Sequence, residues 1–261
     1  MQHRARKRFG QNFLTDPAII RRIVDAIAPA PGQLIVEIGP GLAALSEPLA
    51  DSGAELHLVE IDRDLAAGLE RRFADHANVH LHVGDALQLD FGTLAGERPF
   101  RLVGNLPYNI STPLLFHALQ WSRLVSDMHF MLQQEVVERM AAHPGSKAWG
   151  RLSVMCQFHC AVSPLFGVPP EAFRPAPRVH SMVVRLVPHA EPPVRIDDMA
   201  RFELLLNRAF SMRRKTLRNG LRGLLDAAAI EAAGVDPGLR PDAVGLEQFA
   251  RLANALTRPL P

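Results

Sequence analysis

The chain has 261 residues, of which 48% are hydrophobic, so it can bury a sizeable core and is not a disordered chain. Two uncharged stretches, 102–122 and 152–170, are interrupted by prolines and polar residues, which argues against a membrane span. The only two cysteines, Cys156 and Cys160, exclude a disulfide scaffold. The basic N-terminus is not followed by the apolar segment of a signal peptide. We therefore expect a cytoplasmic protein with no membrane partner.

The net charge is only +2, but basic residues cluster in stretches that contain no acid. One lies in residues 1–10, a second in 208–222 and a third in 173–185. A single run of this kind is also typical of a solvated helix face. Three together favour a nucleic-acid phosphate backbone as the partner. The candidate nucleic-acid-binding residues are Arg4, Arg6, Lys7, Arg8, Arg213, Arg214, Lys215 and Arg218.

Short apolar runs alternate with helical patterns along most of the chain. Helices are predicted between the strands, for example over 63–75 and 112–121, and this alternation is typical of an α/β fold with a doubly wound parallel sheet. Two later strand-like runs are expected to complete the sheet as an antiparallel pair. The predicted strands are 33–39, 55–61, 79–85, 100–105 and 127–133, followed by the later runs 156–166 and 180–187.

A composition change marks a candidate domain boundary. Residues 187–198 contain three prolines and mixed charges, which is typical of a linker. Beyond them the apolar spacing is helical only. We therefore expect a first domain over 1–187, which includes the basic N-terminal arm, and a small C-terminal all-α domain over 188–261.

Gly39 and Gly41 follow the first of these strands directly and precede a helix, an arrangement that lets the backbone approach a ligand closely. Gly39 to Ala44 also matches the dinucleotide pattern GxGxxA, and Glu60 follows about twenty residues later at a strand end. The same arrangement also suits S-adenosylmethionine, because its ribose hydroxyls need an acceptor such as Glu60 at that strand end. These features alone do not separate a nicotinamide cofactor from S-adenosylmethionine.

Later residues favour S-adenosylmethionine. Asp85 follows the third of these strands and can accept a hydrogen bond from an adenine amino group, although an Asp after a strand is also a common helix cap. GNLPYNIST (104–112) follows the fourth strand. The Asn105 side-chain oxygen and the Leu106 carbonyl supply two acceptors for an attacking amine, while Tyr108, the only tyrosine, supplies a stacking face for a base. An ordinary turn before a helix start at Ser111 explains less of this stretch.

Together these motifs resemble the ribosomal RNA adenine dimethyltransferase family, in particular its bacterial small-subunit branch. The resemblance covers nearly the whole chain and includes several long motifs. They are FGQNFLTD (9–16), VEIGPGLAALSEPL (36–49), GDAL (84–87), GNLPYNIST (104–112), FRPAPRVHSMVVRL (173–186) and RRKTLRN (213–219).

The resemblance implies a Rossmann-like class I S-adenosylmethionine-dependent methyltransferase fold. Its cofactor site would contain Asn12, Leu14, Gly39, Glu60, Asp85 and Asn105, and no metal would take part. Phe173 would face Tyr108 across a flipped adenine, beside the catalytic Asn105 and Leu106. The implied substrate is two adjacent adenines in the hairpin loop near the 3′ end of small-subunit ribosomal RNA, each methylated twice within an assembling subunit. We expect the enzyme to act as a monomer.

Three alternatives remain at this point. Large-subunit adenine methyltransferases of the macrolide-resistance type share the glycine loop and an NxPY motif. A non-enzymatic nucleic-acid-binding factor can be built on the same fold, and a nicotinamide oxidoreductase shares GxGxxA. CQFHC (156–160) also contains soft metal ligands, but three ligands in one predicted strand do not share a face, so a buried core is expected. No role is assigned to His57, His80 and His82.

Overall fold

The computed structural model describes residues 11–107 and 110–256. The predicted RNA-binding residues Arg4, Arg6, Lys7 and Arg8, and the predicted stacking residue Tyr108, lie outside the described residues. The chain divides into two compact units. Unit 1 comprises Met1–Val137 and Ser163–Pro188, and unit 2 comprises Glu138–Val162 and His189–Pro261.

Unit 1 is the α/β part of the chain. Its strands are β1 (Phe13–Leu14), β2 (Leu34–Ile38), β3 (Glu55–Glu60), β4 (Val79–Val83), β5 (Phe100–Asn105), β6 (Val125–Gln133), most of β7 (Cys160–Val168), β8 (Phe173–Arg174) and β9 (Ser181–Pro188). Its helices are α1 (Pro17–Ile27), α2 (Ser46–Asp51), α3 (Arg63–Arg72), α4 (Phe91–Ala95), α5 (Ser111–Ala118) and the start of α6 (Gln134–Met140). Short 3₁₀ turns cover Ala86–Gln88, Leu119–Trp121 and Pro170–Ala172.

Seven strands form one sheet in the order β4-β3-β2-β5-β6-β9-β7. β2 pairs in parallel with both β3 and β5, and β3 pairs in parallel with β4. β9 runs antiparallel to β6. The strand order therefore reverses between β2 and β5, and at such a reversal the loops after the two strands diverge and leave a crevice. This sheet confirms the predicted α/β class.

The first strand of the large sheet, β2, is buried along its whole length, as expected for a strand covered on both faces. Three helices of unit 1 begin directly after an aspartate. The side chains of Asp16, Asp62 and Asp90 accept hydrogen bonds from the first amides of α1, α3 and α4. These three helices therefore have fixed starting points.

Gly104 brings the ends of β2 and β5 close together. A Cβ atom added at this position would lie 2.6 Å from the Ile38 carbonyl oxygen and 3.0 Å from Leu106 Cδ2. Only glycine fits this approach without a shift of the backbone. The loops that follow β2 and β5 are consequently neighbours.

Unit 2 is helical. It contains α7 (Arg151–His159), α8 (Met199–Ser211), α9 (Leu217–Gly220), α10 (Ala227–Ala232), α11 (Leu246–Asn254), the end of α6 and a 3₁₀ turn at Pro241–Ala243. Both α7 and α11 pack against α8. In the part of the chain that is described, no helix is both long and apolar enough to span a bilayer.

Two predictions differ from the structure here. Residues 156–159 were predicted as part of a strand, but they end the helix α7, and the strand begins at Cys160. That prediction was wrong because a short, almost wholly buried run has the same apolar pattern in a helix and in a strand. The structure also groups 138–162 with the helical unit rather than with 1–187, because α7 packs against α8 and α11.

Candidate active site

A pocket in unit 1 lies at the carboxyl ends of β2, β3, β4 and β5, beside the reversal in strand order. The residues predicted to bind a cofactor all line it, and so does Leu106. The predicted residues in its walls are Asn12, Leu14, Gly39, Glu60, Asp85, Asn105 and Leu106. The chain thus brings together residues that lie up to 94 positions apart in sequence.

The glycine loop and the end of β3 are joined by Glu60. Its Oε2 accepts a hydrogen bond from the Gly41 N–H (3.2 Å), and its Oε1 accepts one from the Asp62 N–H (2.9 Å). Gly41 has a φ of +59°, in the left-handed region that favours glycine. The side chain of Glu60 is buried, and this burial raises its pKa, while the two backbone N–H groups oppose the shift.

A second carboxyl group, Glu37, lies in β2 just before the glycine loop and also lines the pocket. It is 2% exposed, and its Oε2 has no hydrogen-bond partner among the described residues. Burial raises the pKa of Glu37 to about 7; the Ser46 hydroxyl opposes this shift and the nearby Glu60 adds to it. The sequence prediction did not include Glu37, although an ionisable residue inside the apolar strand LIVEI was a visible signal.

Asp85 has the cap role that was weighed against a ligand role. Its Oδ1 accepts a hydrogen bond from the Leu87 N–H (3.0 Å) at the start of a 3₁₀ turn. The same side chain lines the pocket and is only half-buried. A cap uses one carboxylate oxygen, so the two roles are compatible.

The segment 11–14 contacts two of the loops around the pocket. Gln11 Nε2 donates to Asp62 Oδ2 at the end of β3 (3.3 Å). The ring of Phe13 lies 3.2 Å from the position of a Cβ added at Gly41. These contacts explain residue types in FGQNFLTD for which sequence patterns alone gave no reason.

Asn105, the last residue of β5, is oriented by the same segment. Its Nδ2 donates a hydrogen bond to the Asn12 carbonyl oxygen (3.0 Å). A carbonyl oxygen accepts only, so the amide group facing Asn12 must be the NH₂ group. The side-chain oxygen Oδ1 is thereby left as an acceptor on the other side of the amide.

The next two residues hold the loop that follows β5. The Leu106 side chain is buried, and its N–H donates to the Met131 carbonyl (3.2 Å). Pro107 has no N–H, and its carbonyl accepts from the Ile110 N–H (3.1 Å). Leu106 is thus anchored to the neighbouring strand β6 by its amide, and its side chain is buried.

Phe173 lies at the start of β8, which pairs antiparallel with β1 through Leu14↔Phe173. Thr15 donates to the Ala172 carbonyl through its N–H (2.8 Å) and its hydroxyl (3.2 Å). Phe173 is 1% exposed, belongs to the hydrophobic core and is not among the pocket-lining residues. Its predicted position opposite Tyr108 stays a prediction, because Tyr108 is outside the described residues.

The predicted basic patch of unit 2 lies between α8 and α9. Arg214, Lys215 and Arg218 are exposed. Arg213 differs, because its Nη2 donates to the Lys147 carbonyl (2.6 Å) and its Nε lies 3.8 Å from Asp242 Oδ2. Three of the four residues predicted in unit 2 therefore have exposed side chains that a partner could reach, while the Arg213 side chain contacts other residues of unit 2.

The comparison with protein families is decisive. The profile of the family described as ribosomal RNA adenine dimethylase matches residues 2–258. The chain belongs to this family. A ribosomal RNA small subunit methyltransferase A from Pseudomonas putida is 57% identical over 256 residues, which cover 98% of this chain and 96% of that protein. The protein of the same name from Chromohalobacter salexigens is 54% identical over 264 residues, covering 99% and 94%.

Solved structures agree with this assignment of the fold. A dimethyladenosine transferase from Plasmodium falciparum has a TM-score of 0.79 at 23% identity and covers 92% of this chain and 95% of that chain. The 23S rRNA methyltransferase ErmE has a TM-score of 0.73 at 27% identity, with 95% and 100% covered. The predicted class I methyltransferase fold is confirmed.

We expect Glu37 to make stability depend on pH. A raised carboxyl pKa means that the folded state binds the proton more tightly than the unfolded state, so its stabilising contribution is complete below about pH 4.5 and is lost as the pH rises through about 7. The free energy of unfolding of the wild type, relative to Glu37→Gln, should therefore fall by on the order of 3 kcal/mol between pH 4.5 and 8.

Urea unfolding of both proteins at several pH values measures this difference. Glu70→Gln, at an exposed position of α3, is the matched control for the loss of one carboxyl group. A difference for Glu37→Gln that does not change with pH would mean that the buried carboxyl group does not titrate in this range.

Proposed function

We propose that this protein uses S-adenosylmethionine to dimethylate N6 of two adjacent adenosines in the 3′-terminal hairpin loop of small-subunit ribosomal RNA. Membership of the ribosomal RNA adenine dimethylase family supports the reaction type. The orientation of the Asn105 amide is the observation that carries the mechanism, because it leaves Oδ1 as an acceptor at the end of β5.

The residues around the pocket suit S-adenosylmethionine. The Glu60 carboxylate, at the end of β3, would accept from the ribose hydroxyls, and the second oxygen of Asp85 would accept from the adenine amino group. Gly39 and Gly41 let the backbone of the loop approach the ligand. When bound, the cofactor supplies an electrophilic methyl group on a positively charged sulfur. The buried carboxyl groups of Glu37 and Glu60 favour a cation in this pocket.

The adenine amino group is a weak nucleophile, because its lone pair is shared with the ring. Two acceptors on its N–H groups would hold the nitrogen in the attacking geometry and stabilise the positive charge that develops. Asn105 Oδ1 and the Leu106 carbonyl are the proposed pair. After the first transfer only one N–H remains, so one of these acceptors must face the new methyl group during the second transfer.

The base itself needs a stacking surface. We assign one wall to Tyr108, and stacking of this kind contributes roughly 1–3 kcal/mol per base. Phe173 is the proposed opposite wall. Because Phe173 is 1% exposed, entry of the base would require its ring to become accessible. Adenines in a hairpin loop are unpaired, so no base pair has to be broken to bring them to the pocket.

The small-subunit substrate is favoured over the large-subunit alternative by the degree of similarity. The relatives named for the small subunit are 51–57% identical to this chain, whereas the 23S rRNA methyltransferase ErmE is 27% identical. We propose an assembling small subunit as the partner, the bacterial cytoplasm as the location and a monomer as the active form.

Two substitutions test the reaction pocket. Asn105→Ala should lower kcat by roughly 10²- to 10³-fold, because it removes one acceptor for the amino group. Tyr108→Ala should weaken the use of RNA by roughly 1–3 kcal/mol and leave S-adenosylmethionine binding unchanged, because it removes only the stacking face. Transfer of labelled methyl groups to unmethylated small-subunit particles, with calorimetry of cofactor binding, measures both effects.

Tyr108→Phe is the matched control, since it keeps the ring and should retain activity. Normal turnover by Asn105→Ala or Tyr108→Ala would contradict the mechanism. Transfer to large-subunit particles in preference to small-subunit particles would instead support the macrolide-resistance alternative.

The basic patch of unit 2 is tested by Arg214→Ala, Lys215→Ala and Arg218→Ala combined, with Arg213 left intact because of its internal contacts. If all three bind phosphates, the slope of the logarithm of affinity against the logarithm of salt concentration should flatten by about 2. Binding of small-subunit particles at several salt concentrations gives the slope. Arg63→Ala with Arg71→Ala, two exposed positions of α3, is the control, and an unchanged slope in the triple variant would remove this patch from the interface.

A further inference from the structure

A cluster of histidines and a carboxylate lies on one face of the sheet edge formed by β3 and β4. β4 is the edge strand, and His57 of β3 is the parallel partner of His80 of β4. Glu55 and His82 are each two residues away along these strands, so all four side chains share one face. The ring centroids of His57 and His80 are 4.8 Å apart, and those of His57 and His82 are 5.0 Å apart.

Three of these residues offer donor atoms at close range. One ligand atom from each of Glu55, His57 and His80 lies within 4.8 Å of the other two. Tetrahedral ligands of Zn²⁺ are roughly 3.3 Å apart, given metal–ligand distances of about 2.0–2.1 Å. Glu55 Oε1 and His57 Nε2 already have this spacing, at 3.1 Å. His80 is exposed, so its ring can turn to complete the set at little cost.

We propose that Glu55, His57 and His80 form a binding site for Zn²⁺ or a similar transition-metal ion at this sheet edge. Two imidazoles and one carboxylate are a donor set that zinc uses in proteins, with a fourth position left for water. Imidazole ligands favour such ions over Mg²⁺ and Ca²⁺, which prefer oxygen. This site is separate from the cofactor pocket, which is lined by none of the three residues.

His82 supplies the outer hydrogen bond that metal-bound histidines usually have. Its Nε2 lies 3.1 Å from His57 Nδ1. Without metal, His57 Nε2–H donates to Glu55 and His82 Nε2–H donates to His57 Nδ1. With a metal ion on His57 Nε2, the His57 proton is on Nδ1 and donates to His82 Nε2. The same pair of rings therefore serves both states, and only the two tautomers change.

Arg98 is the competitor for this site. Its Nη1 donates to Glu55 Oε2 (3.0 Å) and its Nη2 donates to Glu55 Oε1 (2.8 Å). The guanidinium keeps Glu55 ionised, but it also shares the oxygen that a metal ion would use and adds a positive charge beside it. Removal of Arg98 should therefore strengthen metal binding, an effect that a purely structural histidine cluster would not produce.

The test is a calorimetric titration of chelator-treated, full-length protein with Zn²⁺ alone. The wild type should bind one ion in a saturable manner and gain thermal stability on binding. His80→Ala should lose this binding, His82→Ala should weaken it by roughly 10- to 100-fold, and Arg98→Gln should tighten it several-fold. His143→Ala, an exposed histidine of unit 2, is the matched control and should bind as the wild type does.

Three results would overturn the proposal. The first is no saturable Zn²⁺ binding by the wild type. The second is binding by His80→Ala that is as tight as binding by the wild type. The third is a loss of binding in His143→Ala that is as large as the loss in His80→Ala. The buried thiols of Cys156 and Cys160 could also bind such an ion. Co²⁺ should therefore be bound in place of Zn²⁺ and its absorption spectrum recorded, because the spectrum shows whether thiolates are ligands. A thiolate-to-cobalt charge-transfer band would assign the ion to the cysteines and would equally overturn the site at Glu55, His57 and His80.

Discussion

The hydrogen bond from Asn105 Nδ2 to the Asn12 carbonyl joins the two parts of the chain on which the pocket depends. It closes the segment 11–14 over the end of β5, and it decides which atom of the Asn105 amide faces away from that segment. Because β5 is neighbour to β2 at the reversal of strand order, the same bond lies beside the glycine loop. The close approach at Gly104 keeps these elements together. The residues proposed to bind the cofactor and those proposed to take part in the reaction therefore line one pocket.

The electrostatics of the pocket favour a positively charged ligand. Glu37 and Glu60 are both buried and both have raised pKa values, chiefly because burial disfavours a carboxylate. Such groups are costly without a positively charged partner, and a ligand that carries a cation would stabilise their ionised forms. S-adenosylmethionine carries a positive sulfur and an ammonium group. A nicotinamide dinucleotide carries a negatively charged pyrophosphate and would gain less from two buried carboxyl groups.

The sequence predicted the sheet well, because each strand is a short apolar run bounded by turn residues, as in ELHLVEI and VHLHVGD. It also predicted that Glu60, Asp85 and Asn105 lie at neighbouring strand ends, since polar residues at strand ends are distinctive, and the structure places all three around one pocket. Their roles in binding and reaction stay predictions. Residues 156–159 were assigned wrongly because the buried helix α7 carries no amphipathic period. The contacts of Gln11 and Phe13, and the cluster of His57 with His80, could not be predicted from spacing, because they depend on strand register and on tertiary contacts between distant residues.

Mass spectrometry of the 3′-terminal hairpin fragment of small-subunit ribosomal RNA tests the proposed substrate and the proposed product together. The RNA should come from cells with and without the gene for this protein. We expect two adjacent dimethyladenosines in the first case and two unmodified adenosines in the second. The wild-type protein should restore the dimethylation in the second case, and Asn105→Ala should not. Unchanged dimethylation of the hairpin in cells that lack the protein would contradict the proposed function.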